Sequence, residues 1–172
     1  ARKSGVLTPE IGSTGRSGNE LSIPYYWNIA ENYDATMTPR LLTDRGLQVG
    51  TEFRYLFANS DGNLDVEYLP NDNKFNDNRH QIGFQHQTLF QNGWRNQIDI
   101  RDVSDSQYYE DLGGSIGISS ITHLNRSLNF DFFGEHWSLL GRVQDYQTID
   151  SAIEPENRPY RRLPQIYARG YW

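Results

Sequence analysis

Alternation of apolar and polar side chains with a period of two is the feature that most constrains the fold of this chain. Between residues 47 and 57 the odd positions carry Leu, Val, Thr, Phe, Tyr and Phe, and all but the last even position is polar or glycine. Successive side chains of a β-strand point to opposite faces of its sheet, so this alternation is typical of strands with one apolar and one polar face. The pattern predicts an all-β, antiparallel fold.

Similar runs recur along the whole chain, and no helix of useful length is evident. Many of the runs have about 8–11 residues, which suits a tilted strand that crosses a membrane. We predict strands near residues 4–12, 19–29, 34–42, 47–57, 63–69, 80–90, 93–103, 116–124, 127–135, 137–147 and 163–171.

Turn signals separate the runs. Compact turns are predicted at 43–46, 59–62 and 91–93, where Asn, Asp and Gly tolerate positive φ. Longer polar links are predicted at 71–78, 104–117 and 150–159. Outer-membrane barrels have short periplasmic turns and longer external loops. The sequence therefore favours a transmembrane β-barrel segment of roughly eleven strands.

Composition excludes several other classes of protein. The net charge is −6 without a basic cluster, and this argues against binding to nucleic acid, which requires clustered cations. Cysteine is absent, which excludes thiolate metal sites within the chain. No run of about 18 apolar residues is present to form a transmembrane helix.

Two further features fit a barrel. Tyr25, Tyr26 and Trp27 combine apolar rings with polar tips, which is favourable at a lipid–water interface. A polar strand face carries charges of both signs, and in a barrel it would line the lumen, whereas in a soluble sandwich it would be the solvated surface. The residues of this predicted lumen face are Glu52, Arg54, Asp65, Glu67, Arg95, Asp99, Arg101 and Asp131.

Pro9 and Pro24 each lie inside a run that otherwise reads as a strand. A proline has no backbone N–H to donate, and a backbone group left unpaired in an apolar setting costs about 1–3 kcal/mol or more. Two such residues in the first two strands predict a weakly bonded seam. The alternative is that both prolines occupy non-bonded edge positions or bulges.

The residues give little support for catalysis, metals or cofactors, and we expect none of the three. No two histidines have metal-ligand spacing, and the 71–78 segment, which contains Asp72 and Asp77, lacks the EF-hand pattern for Ca²⁺. We interpret it as a solvated loop. A lipolytic Ser–His pair, with His123 or His136 as base and Asp131 nearby, has no support from spacing.

Several stretches resemble the LptD family of lipopolysaccharide-assembly outer-membrane proteins. The most specific is the run Pro24-Tyr25-Tyr26-Trp27-Asn28-Ile29-Ala30, although Glu31 replaces a proline that is common in that family. The other matching stretches are residues 4–9, 31–36, 53–56, 65–72, 103–105, 108–112 and 159–165.

The resemblance implies that residues 1–172 are the N-terminal part of a much larger outer-membrane barrel, with no second domain in the chain. It implies a protein that releases lipopolysaccharide into the outer leaflet, with Pro9 and Pro24 beside a lateral gate. The implied partners are lipopolysaccharide, an LptE-like lipoprotein plug in the lumen, outer-membrane lipid, and periplasmic bridge proteins that bind a missing N-terminal domain.

Two other hypotheses about the function of the chain stay open at this point. The first is a small, self-contained outer-membrane barrel that acts as a porin or adhesin, which the terminal Tyr171-Trp172 pair supports. The second is a soluble sugar-binding sandwich that uses Trp94 or Trp137 as a stacking platform.

Overall fold

Residues 2–113 and 121–172 are described by a computed structural model. They form one 12-stranded antiparallel sheet and a single α-helix, Tyr108–Leu112 (α1), with two short 3-10 turns. The strands are β1 Gly5–Val6, β2 Glu10–Thr14, β3 Gly18–Ser22, β4 Tyr25–Trp27, β5 Tyr33–Leu42, β6 Gly46–Leu56, β7 Ser60–Asp72, β8 Asp77–Leu89, β9 Trp94–Val103, β10 His123–Phe133, β11 Trp137–Thr148 and β12 Arg162–Gly170. Across the described ranges, no helix has the length and apolar character needed to span a membrane.

From β5 to β12 the sheet is a meander in which each strand pairs with the next one in the sequence. The first two long strands are each divided, so that β1 and β2 form the outermost strand while β3 and β4 form its neighbour. Within the described part of the chain the sheet stays open, with β1 and β2 at one edge and β12 at the other.

Most predicted strands are confirmed, with changes of a few residues at their ends. The predicted strands at 4–12 and 19–29 each appear as two shorter strands. The predicted strand at 116–124 falls mainly on residues outside the described ranges, and its last two residues begin β10. The count therefore becomes twelve instead of roughly eleven.

The connections fall at two ends of the sheet. Residues 28–32, 57–59, 90–93 and 134–136 join strands at what we call the short-turn end. At the long-loop end lie 15–17, 43–45, 73–76, 104–113, 121–122 and 149–161. The compact turn predicted at 43–46 thus lies beside the long loops, because successive hairpins must alternate between ends. Much of the predicted 71–78 link is strand, with a turn of only four residues at 73–76.

Strand register divides the side chains into a polar face and an aromatic face. Glu52 is opposite Asp65, and Arg54 belongs to a row that continues through Asn63, Gln85 and Asp99. All eight residues predicted for the lumen face share this one face of the sheet. That the face lines a lumen remains a prediction.

The buried core lies at the long-loop end. It consists of Leu42, Leu69, Val103, Tyr108, Tyr109, Leu112, Leu124 and Ile149. Three of its members come from α1, which packs over the polar face. The interpretation of 104–117 as a polar link is therefore wrong for the part that α1 occupies, because its two tyrosines and leucine cover the apolar ends of strands.

Candidate functional site

The first two strands meet in an irregular pairing that we call the proline seam, the contact of β1 and β2 with β3 and β4. Val6 is opposite Tyr25, and the next residue, Leu7, donates its N–H to the carbonyl O of Pro24 at 2.8 Å. Two residues that form a hydrogen-bonded antiparallel pair normally exchange two such bonds. Pro24 has no N–H to return, so this pair keeps only one.

Pro9 follows Leu7 by two residues, and in a regular strand its backbone groups would point towards β3. Alternate residues of a strand point their N–H and C=O groups towards the same neighbour. After Pro9 the register slips, because Glu10 pairs with Ser22, so that residues 7–9 stand opposite only 23–24. Pro24 therefore lies at a bonded position of the seam, and Pro9 leads directly into a bulge-like slip of register.

On its other side the divided strand keeps a regular register, although Pro39 cannot return the hydrogen bond that it accepts there. Ile23 donates its N–H to the carbonyl O of Pro39 at 3.1 Å. Ser22 pairs with Arg40 and Tyr25 with Met37, so β3 and β4 keep one continuous register against β5. The irregularity is confined to the contact with the outermost strand. The slip after Pro9 has the form of the bulge that the sequence left open as the alternative to a weak seam, whereas Pro24 lies in a bonded pair that keeps one of its two hydrogen bonds.

The three predicted interface aromatics lie on two faces. The side chains of Tyr25 and Trp27 point to the aromatic face, and the two residues are 42% and 49% exposed. Tyr26 points to the polar face, where its hydroxyl donates to Asp34 Oδ2 at 3.0 Å. Alternation thus separates the middle ring from the other two, and the location of the three residues at a lipid–water interface stays a prediction.

Further aromatic rings extend this surface along the short-turn end. Trp94 lies 4.8 Å from Phe130 and 4.9 Å from Phe132, and Phe132 lies 4.5 Å from Trp137, measured between ring centroids. In β6 a second group includes Phe53 and Tyr55. A row of rings at one edge of an exposed apolar face is typical of the aromatic girdle of a membrane barrel. Trp94 and Trp137 therefore pack against other aromatic rings of the sheet.

The polar face carries a network of paired charges and amides. Asp34 accepts from Arg54 at 2.9 Å, and Asp131 accepts from Arg95 at 2.7 Å. A cleft of about 660 Å³ lies on this face. Its polar lining includes Arg54, Asp61, Asn63, Gln85, Gln87, Gln97 and Asp99. This surface offers many hydrogen-bond groups to a hydrated solute.

The long-loop end contains a group of five charged residues that we call the ion cluster: Arg45, Arg79 and Asp72, which are buried, and Asp105 and Asp111, which are partly buried. Arg79 and Asp72 are completely buried. Arg79 lies 2.7 Å from Asp105, 2.8 Å from Asp111 and 3.2 Å from Asp72. Arg45 lies 2.7 Å from Asp72 and 3.1 Å from Asp111. These contacts fix α1 on the ends of β7 and β8.

Burial and charge shift the pKa values of the groups around α1. Burial by itself raises the pKa of Asp105, but bonds from Arg79 and Ser104 and the charge of Arg79 outweigh it, so this pKa lies below its ordinary value. Burial also raises the pKa of the Tyr108 hydroxyl, which donates to Glu67 Oε2 at 2.8 Å and accepts from Gln48 at 3.0 Å. At neutral pH Asp105 is therefore ionised, and Tyr108 is a hydrogen-bond donor to Glu67.

The residues considered for calcium binding and catalysis have other contacts. Asp72 is not part of a solvated loop, since it is buried between two arginines. Asp131 pairs with Arg95 and lies at the opposite end of β10 from His123. In residues 2–113 and 121–172, no group of three or more His, Asp or Glu side chains is placed to hold a metal ion.

Sequence reasoning missed the ion cluster. Its residues come from five separate places in the chain, and none repeats with a period that marks it. The only indication of this cluster in the sequence was that several of its residues lie in stretches that resemble a known family. Residues 65–72, 103–105 and 108–112 supply most of the cluster and its core.

Comparison with known proteins extends this resemblance. A sequence profile of the LptD family, described as LPS transport system D, matches residues 77–172. The chain is 45% identical to the LPS-assembly protein LptD of Nitrosococcus oceani, over 99% of the chain and 23% of that protein. It is 42% identical to the protein of the same name from Aliivibrio fischeri, over 96% of the chain and 21% of the relative. The corresponding figures for Azoarcus sp. are 43%, 96% and 20%.

The chain thus spans about a fifth of the length of the curated relatives that it matches. The family profile nevertheless covers more than half of the chain, and the single antiparallel sheet confirms the predicted all-β fold class, which is that of this outer-membrane barrel family. On this evidence the chain belongs to the LptD family.

Proposed function

We propose that this chain forms the first strands of a large outer-membrane barrel that inserts lipopolysaccharide into the outer leaflet. The relatives it matches are LPS-assembly proteins, and the chain corresponds to about a fifth of their length. Its open sheet has two unpaired edges, which further strands of the same protein would cover. In lipid such edges must be paired, because no water is available to bond their backbone groups.

The proline seam is the observation that carries the proposed lateral gate. The Leu7–Pro24 pair has one hydrogen bond in place of two, and Pro9 leads into a slip of register. Each missing backbone bond costs about 1–3 kcal/mol where water cannot replace it. The outermost strand would therefore separate from its neighbour more easily than any regular pair, which opens a lateral path into the bilayer.

The two faces of the sheet suit an amphipathic glycolipid. Acyl chains would leave through the seam towards the aromatic face, which carries the exposed rings of Tyr25 and Trp27. Sugars would cross the polar face, where amides and paired charges replace the hydrogen bonds of water. An LptE-like plug in the lumen and periplasmic bridge proteins belong to the same proposal, as does an outer-membrane location.

The test is replacement of both Pro9 and Pro24 with Ala in the full-length protein. Restored backbone donors would strengthen the seam, so we expect slower appearance of newly made lipopolysaccharide at the cell surface. Pro39→Ala is the matched control, because Pro39 lies in β5, where the register with both neighbours is regular. Normal surface delivery by a correctly folded double variant would refute the gate.

A further inference from the structure

The tip of the first hairpin, residues 14–18, is anchored much more firmly than the seam below it. Ser17 is 1% exposed, and its carbonyl accepts from Asp44 N–H at 3.2 Å. The carbonyl of Arg16 accepts from two cationic donors, Arg45 Nε at 3.0 Å and Lys74 Nζ at 2.9 Å. Hydrogen bonds from charged donors are stronger than neutral ones, so the backbone of this tip is well fixed.

Arg45 joins the tip to two other elements. Its three guanidinium nitrogens contact Arg16 O in the tip, Asp72 Oδ2 in β7 and Asp111 Oδ1 in α1, at 3.0, 2.7 and 3.1 Å. The side chain is almost completely buried, at 4% exposure. A guanidinium is planar and presents five donors in a fixed fork, which allows one residue to hold three partners in a defined arrangement.

Arg40 makes a second link of the same kind. It lies 2.6 Å from Glu20 Oε2 in β3 and donates to Leu112 O in α1 at 3.1 Å. Ser17 adds a contact from its hydroxyl to Asp111 O at 3.3 Å. Two arginines from β5 and from the turn that follows it therefore connect the first hairpin to the same helix.

We propose that Arg45 and Arg40 are positioning residues for the seam, which fasten the tip of the first hairpin to α1 so that only its proline side separates. This inference rests on the proposed function, because it describes how opening of that gate is limited. With its tip fixed, the outermost strand can move away near β1 but stays in register along β2. The seam would then open from the short-turn end and close again without a change of partner.

The experiment is amide hydrogen exchange on the full-length protein, comparing wild type with Arg45→Gln. We expect exchange across residues 10–22 to become about tenfold faster, because that is the change expected when a charge-assisted bond is lost locally. Strand β6 and the parts of β7 and β8 that are remote from Asp72 and Arg79 should keep their wild-type exchange. Arg95→Gln is the control, since Arg95 pairs on the same face but contacts neither hairpin nor helix.

A second variant keeps the test informative if Arg45→Gln fails to fold. Arg40→Gln removes a partly exposed side chain, and it should produce a smaller increase in the same residues. Arg45→Lys retains one charge and should restore part of the protection, which a general loss of stability would not explain. Unchanged exchange in residues 10–22, or an equal rise in β6 and the remote parts of β7 and β8, would overturn the proposal.

The results also separate the two hypotheses. If the double proline variant delivers lipopolysaccharide normally while Arg45→Gln loosens residues 10–22, the gate fails and the anchoring role stands. If the proline variant slows delivery while Arg45→Gln leaves that exchange unchanged, the gate stands and the anchoring role fails.

Discussion

The proline seam and the tip of the same hairpin are only a few residues apart, yet they are held in opposite ways. At the seam, β1 contributes two paired residues, Pro24 accepts one bond without returning another, and the register slips after Pro9. At the tip, a buried arginine and an exposed lysine both donate to one carbonyl. The comparison shows that a strand can be weakened by its own backbone and secured by side chains from elsewhere in the fold.

The difference also explains why the buried charges lie where they do. A buried ion pair gives little net stability compared with a well-packed apolar alternative, but removal of one partner is costly. The main consequence of the ion cluster is geometric, because its contacts join α1, the ends of β7 and β8 and the hairpin tip. The following predictions test this contrast in order of expected effect.

The largest effect is expected from Arg79→Gln. Arg79 is completely buried and faces three carboxylates, so its loss leaves negative charges close together without their main partner. We expect the free energy of unfolding of the full-length protein to fall by about 3–5 kcal/mol. Urea titration of the reconstituted protein measures this change.

The control for Arg79→Gln is Arg54→Gln, which removes a half-exposed arginine from the pair with Asp34. It should cost much less, because solvent replaces much of what an exposed pair contributes. If both variants lowered the free energy of unfolding by the same amount, the ion cluster would contribute no more to stability than the other charged pairs of the polar face.

A smaller effect is expected from Asp105→Asn, together with a change in pH dependence. The folded protein holds the pKa of Asp105 below its ordinary value of 3.8, so its stabilising effect is fully present above that value and is lost as the pH falls through the lowered pKa. Asp105→Asn should cost about 2 kcal/mol at neutral pH. Unfolding measured at pH 7 and at several values near and below 3.8 should show a weaker acid dependence in the variant than in wild type.

The smallest effect is expected from Gly18→Ala at the hairpin tip. Gly18 has a φ of +75°, and an added Cβ would overlap Thr43 Oγ1 and the Asp44 carboxylate. We expect a loss of about 1–2 kcal/mol and faster amide exchange confined to the tip. Gly15→Ala is the matched control, since nothing lies within 4 Å of its added Cβ. If both substitutions were neutral, close packing at the tip would not contribute to its anchorage.

Strand positions and the polar face could be predicted well from the sequence. The odd and even residues from Leu47 to Phe57 do point to opposite faces, and the eight charged residues assigned to one face share it. Alternation works because side-chain direction in a strand depends only on local backbone geometry. The same rule, applied residue by residue, would have placed Tyr26 away from Tyr25 and Trp27.

The role of 104–112 could not be predicted in this way. Its buried Tyr108, Tyr109 and Leu112 form too short a segment for a helical period to be visible. Their burial depends on contact with strand ends that are distant in sequence, such as Leu42 and Leu69. A segment with two Ser, two Asp, a Gln and a Glu therefore looked like a solvated link although part of it belongs to the core.

The sequence by itself determined the strands, their two faces and the presence of two prolines in the first strands, because each of these depends on neighbouring residues. Only the tertiary structure decided that Pro24 falls on a bonded position of the seam and that the register slips after Pro9, since both depend on the pairing with a second strand. It also decided that Arg45 and Arg79 meet Asp72, Asp105 and Asp111. Burial of those charges requires all of them to arrive together, and only the docking of α1 on the sheet brings that about.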